Sequence, residues 1–191
     1  MNASGPKSLP AMGFLTFVEN PSLGLIGGYL VVNIVGRPLE FHCTTPVKPN
    51  RAQQILYGPT LASYLYGEQI GQTLTECAKI KAKMVCTDHV HGLAVRDFVN
   101  VPVLLVRYQD SDAEIPTKEV TLPPEKVSQT GHRHVVEFVW AGQPVAIHER
   151  YCHDRDELNQ KWQADDCQFD LEEPFGRIRE AIEEATRSNA A

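Results

Sequence analysis

The 191-residue chain lacks most of the features that assign a class to a sequence at sight. Its five cysteines, Cys43, Cys77, Cys86, Cys152 and Cys167, are odd in number and contain no Cys-x-x-Cys pair, which argues against both a zinc ribbon and a disulfide framework. No run approaches the roughly 20 apolar residues of a membrane-spanning helix, and residues 1–12 hold no apolar stretch of the kind found in secretory signals. Positive charge is scarce as well. With 18 Lys and Arg against 24 Asp and Glu the formal net charge is -6, a field that repels phosphate backbones. Together these absences predict a cytoplasmic protein that takes neither nucleic acid nor a membrane as partner. Glycine and proline are at ordinary levels, and the apolar and charged fractions are those of a packed domain that needs no metal or disulfide to fold.

What is present is a succession of short apolar segments broken by turn residues. Residues 13–18 read as a first strand, ended by Asn20-Pro21-Ser22-Leu23-Gly24, and the almost continuously apolar 29–34 as a strand covered on both faces. A third strand follows Gly36-Arg37-Pro38, with Leu39, Phe41 and Cys43 on one face and Glu40, His42 and Thr44 on the other. Gly24-Leu25-Ile26-Gly27-Gly28 precedes a strand and lacks the Lys-Ser or Lys-Thr ending of a phosphate loop, so it reads as a turn. Asn50 and Gln53 form a capping-box pattern that starts a helix at Arg51, interrupted by Gly58-Pro59. A second helical pattern carries Tyr66, Ile70, Leu74, Cys77 and Ala78, with Gly67 and Gly71 spaced to admit a close neighbour. The basic run 79–83 falls at its end, where lysines complement exposed carbonyls.

From Lys83 the pattern is strand, short helix, strand, over 84–86, 92–98 and 101–106, as two parallel neighbours would be. Residues 108–117, polar and acidic, read as a surface excursion. A hairpin over 134–140 and 145–150 turns at Ala141-Gly142-Gln143-Pro144, a helix spans 154–162, and a last helix opens at Pro174 with Phe175, Ile178, Ile182 and Ala185 on one face. The expected fold is α+β: a single mixed sheet built from the N-terminal three-stranded meander and the strand-helix-strand unit, helices packed on it, and a second hairpin towards the C-terminus. The expected organisation is a flexible segment over 1–12, one domain over 13–170 and an amphipathic helical tail over 171–191.

Chemistry concentrates in Cys86-Thr87-Asp88-His89-Val90-His91, where an apolar strand meets the next helix. Asp88, His89 and His91 are metal-ligand types, and His42, His132 or His134 would complete a zinc set from other strands. The order of residues does not complete His-x-His-x-Asp-His, and His-Glu-x-x-His is absent. Cys86, at a strand end before a possible helix N-terminus, is the best-placed nucleophile, because that position favours the thiolate. His42 and Cys43 are adjacent in a strand and point to opposite faces. The bland alternative makes Asp88 or Thr87 the cap of the helix that follows, with surface histidines beside it.

No complete catalytic motif accompanies this cluster. The expected function is therefore a non-enzymatic module that binds another protein or forms a homo-oligomer, working without a cofactor. The alternative is a small hydrolase using zinc on Asp88, His89, His91 and His42, or Cys86 as nucleophile, with Asp88, His89 and His91 as catalytic partners.

Overall fold

The structure, a computed structural model, describes residues 10–106, 134–162 and 169–188. The first three apolar segments pair antiparallel as a meander, β1 (Ala11–Asn20), β2 (Gly24–Asn33) and β3 (Pro38–Cys43). Beyond them β4 (Val85–Thr87) lies parallel to β1, and β5 (Val103–Val106) parallel to β4. The hairpin β6 (Val135–Trp140) and β7 (Gln143–His148) completes the sheet through β7, antiparallel to β5. Among the described residues this gives one mixed seven-stranded sheet in the order β3-β2-β1-β4-β5-β7-β6, an α+β fold. The surface excursion expected over 108–117 lies outside the described residues, as do His132 and Cys167.

Both faces of the sheet are covered, which is why its central strands are apolar without alternation. On one face α4 (Glu173–Ser188) and α3 (Asp154–Lys161) lay Phe175, Ile178, Ile182 and Leu158 against Met12, Phe14, Leu30, Cys86 and Leu104. The stripe on the last helix therefore docks on its own sheet. On the other face a π-helix (Ser63–Gln72) and α2 (Thr73–Cys77) lay Leu65, Tyr66, Ile70 and Leu74 against Leu15, Leu25, Val31 and Val85. The 3₁₀ helix Val90–Asp97, which joins β4 to β5, contributes Leu93 and Val95 to the same face.

Two expectations need correction. The run from Gly24 to Gly28 is the start of β2, not a turn; a Cβ at Gly27 would lie 2.1 Å from Ile70 Cγ2, and one at Gly28 2.3 Å from Ile178 Cγ2. These glycines let helices approach the strand from both sides, a packing role that resembles turn chemistry in a bare sequence. In the hairpin, Ala141 and Gly142 alone make the turn, at φ 49° and 75°, and Gln143 and Pro144 already belong to β7. Two consecutive left-handed residues match the twist of the strands, so no longer loop is needed.

Gly67 and Gly71 act as anticipated. Added Cβ atoms would fall 2.7 Å from Ala94 Cβ and 2.1 Å from Val95 Cγ2, so the pair seats the 3₁₀ helix against the π-helix. The capping box is also present: Asn50 Oδ1 accepts from Gln53 N at 2.8 Å, Gln53 Oε1 accepts from Asn50 N at 2.9 Å, and α1 (Arg51–Tyr57) stops at Gly58. No helix among the described residues is long and apolar enough to cross a membrane.

Candidate functional site

The parallel register of β1 and β4 sets Leu15 beside Thr87, so the residues that follow β4 at its carboxyl end lie alongside the second half of β1. Strand alternation then divides them. Thr16 and Asp88 continue the α4 face, after Phe14 and Cys86. Asp88 Oδ2 accepts from Thr16 Oγ1 at 3.0 Å and from the Arg179 guanidinium of α4. Burial pushes the Asp88 carboxyl above the usual carboxylate range, while Arg179 and Thr16 pull against it.

Phe17, His89 and His91 collect on the other face around Tyr66 of the π-helix. His89 stacks on Tyr66 at 4.4 Å between ring centroids and 8° between planes, with Phe17 edge-on at 5.8 Å and His91 at 5.4 Å. Tyr66 Oη donates to Glu19 Oε1 at 2.7 Å, and burial together with this bond holds the phenol protonated. Burial lowers the His89 pKa to about 4, helped by the neighbouring His91, and lowers that of His91 as well. Both imidazoles are neutral at pH 7. His89 Nδ1 accepts from His91 N at 3.3 Å, so the neutral His89 ring carries its proton on Nε2.

That contact also identifies the helix cap. His89 is the N-cap of the 3₁₀ helix, supported by Thr87 Oγ1 accepting from His89 N at 3.3 Å. The capping role expected of Asp88 is thus filled by the next residue, because the alternation of β4 turns the Asp88 carboxylate towards α4 and away from the helix start. Cys86 is closed off from solvent in the core between β1 and β5, opposite Phe14 and Leu104, on the face away from the histidines. A thiol sealed there has no route to a substrate.

His42 lies on β3, three strands from β4, about 14 Å at the usual interstrand spacing. Its Nε2 contacts Glu40 Oε1 at 2.7 Å. Glu40 also accepts from Lys79 N at 3.0 Å and Ile80 N at 2.8 Å, bonds that hold its carboxyl down at about 2. His134 pairs with Glu149 at 2.5 Å, far along the sheet in the β6 strand region. No group of three or more His, Cys, Asp or Glu side chains is arranged to hold a metal among the described residues.

The residues that sequence reasoning missed are Thr16, Tyr66, Glu19 and Arg179, which complete the two clusters, and the pair Arg96 and Asp154. Arg96 grips the buried Asp154 carboxylate through Nε at 2.7 Å and Nη2 at 3.0 Å, and Nη1 donates to Val99 O at 2.7 Å. This fork ties the β4 to β5 connection to the start of α3. Tyr66 carried a signal, a polar-tipped residue in an apolar helical stripe; the two arginines carried none. Comparison with protein-family models, curated proteins and solved structures gives no significant match.

Proposed function

We propose that the chain is a non-enzymatic module that works by self-association. The observation that carries this reading is the β3 end of the sheet. Among the described residues β3 has a partner strand on one side only, and its Leu39 and Phe41 stand 43% and 38% exposed. An edge strand is a template for pairing with another chain; β3 carries Pro38, Glu40 and a bulge against Val31 and Val32, features that blunt an edge, and its support for pairing is the apolar row that it nevertheless leaves exposed. Helix α1, which follows β3, adds to the exposed apolar surface: none of its residues is buried, and Ile55 and Leu56 are 65% and 83% exposed. A helix this short gains little from propensity and generally owes its stability to packing.

Less supports the hydrolase alternative. Its carboxylate, Asp88, is divided from His89 and His91 by the sheet, Cys86 is sealed in the core, and His42 is three strands away. The reading is tested by molar mass against concentration, from light scattering, for the wild-type chain and for a variant with Leu39, Phe41, Ile55 and Leu56 all made Ser. The wild type is expected to gain mass with concentration and the variant to stay a single folded chain. A wild type that keeps the single-chain mass of 21.3 kDa throughout would sink the reading.

A further inference from the structure

The outer edge of β3 carries a specific pattern. Thr44 donates its N–H to Gly27 O at 2.9 Å, which makes this a hydrogen-bonded pair of the antiparallel β2–β3 ladder. Such pairs alternate, so Glu40 and His42 also direct their backbone groups towards β2, and the N–H and C=O groups of Phe41 and Cys43 point outward; the register shifts where Glu40 faces Val31 and Pro38 faces Val32, which leaves Leu39 as the extra, bulged residue. None of these is proline, and no described strand pairs with them. The side chains of Phe41 and Cys43 share the α4 face, as they lie opposite Leu30 and Gly28. Glu40 and His42 lie on the other face.

We infer that the chain forms a twofold-symmetric homodimer by antiparallel β3–β3 pairing centred on Phe41; the inference rests on the self-association reading and names its surface and register. Strand β3 reads Leu39-Glu40-Phe41-His42-Cys43, and about Phe41 it is self-complementary. With Phe41 on the twofold axis, the bulged Leu39 comes beside Cys43 of the second copy, apolar against apolar. On the other face Glu40 meets His42 of the second copy, twice over, a carboxylate opposite an imidazole. The outward N–H and C=O groups of Phe41 then pair with their own symmetry mates. Centring the pair on Glu40 would set two carboxylates face to face, and centring it on Leu39 would set Phe41 against Arg37. Like charges directly opposed destabilise a ladder, whereas opposite and apolar pairs support it. An isologous contact of this kind closes on itself and does not propagate into fibres. The product is one continuous sheet running through both copies.

Three variants of the full chain decide the matter by sedimentation and by non-reducing electrophoresis. Phe41→Lys opposes two ammonium groups at the axis and is expected to yield single folded chains whose melting temperature no longer rises with concentration, as that of the wild type does. Leu56→Asp, on α1, is expected to leave the dimer intact. Phe41→Cys, in a chain whose Cys43, Cys77, Cys152 and Cys167 are Ser, is expected to form a covalent dimer on mild oxidation, because hydrogen-bonded antiparallel partners lie about 5.5 Å apart at Cα, within disulfide reach. A dimer that survives Phe41→Lys, or that dissociates on Leu56→Asp while Phe41→Cys fails to cross-link, would overturn the β3 register and leave self-association through another surface. A wild-type chain that is single at every concentration would overturn the register and the self-association reading together.

Discussion

His89 is placed where a proton is costly. Its ring is stacked on Tyr66, edged by Phe17 and buried beside a second imidazole, and its pKa falls from 6.5 to about 4. The unfolded chain therefore takes up this proton before the folded one does. The stability tied to the neutral ring is fully present above pH 6.5 and is lost as pH falls towards 4, up to about 3 kcal/mol from this residue. Urea unfolding at pH 7 and pH 4.5 is expected to show a large drop for the wild type and a clearly smaller one for His89→Gln. Equal drops would show that His89 does not carry the effect. Asp88 offers a sharper contrast between roles. A helix cap needs only an oxygen acceptor, whereas the contact with Arg179 needs charge. Asp88→Asn is accordingly expected to lose about 1 kcal/mol or more, and Asp88→Ala more still, about 2 to 3 kcal/mol, because Thr16 also loses its acceptor. Thermal melts that rank Asn equal to wild type would restore the capping role.

At the scale of elements, the π-helix and the 3₁₀ helix depend on glycine for their closeness. Gly71→Ala places a methyl 2.1 Å from Val95 Cγ2 and is expected to cost about 1 to 3 kcal/mol, as overpacking does. Gly176→Ala in α4, where no atom lies within 4 Å of the added methyl, is expected to stabilise by a few tenths of a kcal/mol to about 1 kcal/mol. Chemical denaturation of the two variants side by side checks the reasoning; a tolerated Gly71→Ala would mean that the helices move apart freely. Much at this scale was legible beforehand. The meander, the capping box at Asn50, the parallel β4 and β5 and the stripe on α4 all follow from local periodicity and turn residues. The π-helix was not, because Tyr66, Ile70 and Leu74 fit an ordinary helical stripe and the wider turn leaves no mark in that spacing. Nor was the strand role of Gly27 and Gly28, since close approach and tight turning select the same residue.

For the whole molecule, the sheet decides which neighbours in sequence become neighbours in space. Asp88, His89 and His91 looked like one cluster along the chain, yet β4 alternation sends the carboxylate to α4 and the imidazoles to the π-helix. Their partners, Arg179, Thr16, Tyr66 and Glu19, come from elements whose placement no local pattern announces. The same holds for Arg96 and Asp154, 58 positions apart. By contrast, the exposed pattern of β3 is local, and Phe41 and Cys43 on one face were readable as soon as the strand was recognised. The proposed self-association rests on that edge and not on the junction after β4. The most direct measurement is backbone hydrogen exchange, residue by residue, in dilute and in concentrated solution. Exchange at Phe41 and Cys43 is expected to slow as concentration rises, while Glu40 and His42, already turned towards β2, and the exposed turn at Ala141 and Gly142 keep their rates. Equal exchange at the two outward amides in both solutions would contradict the account.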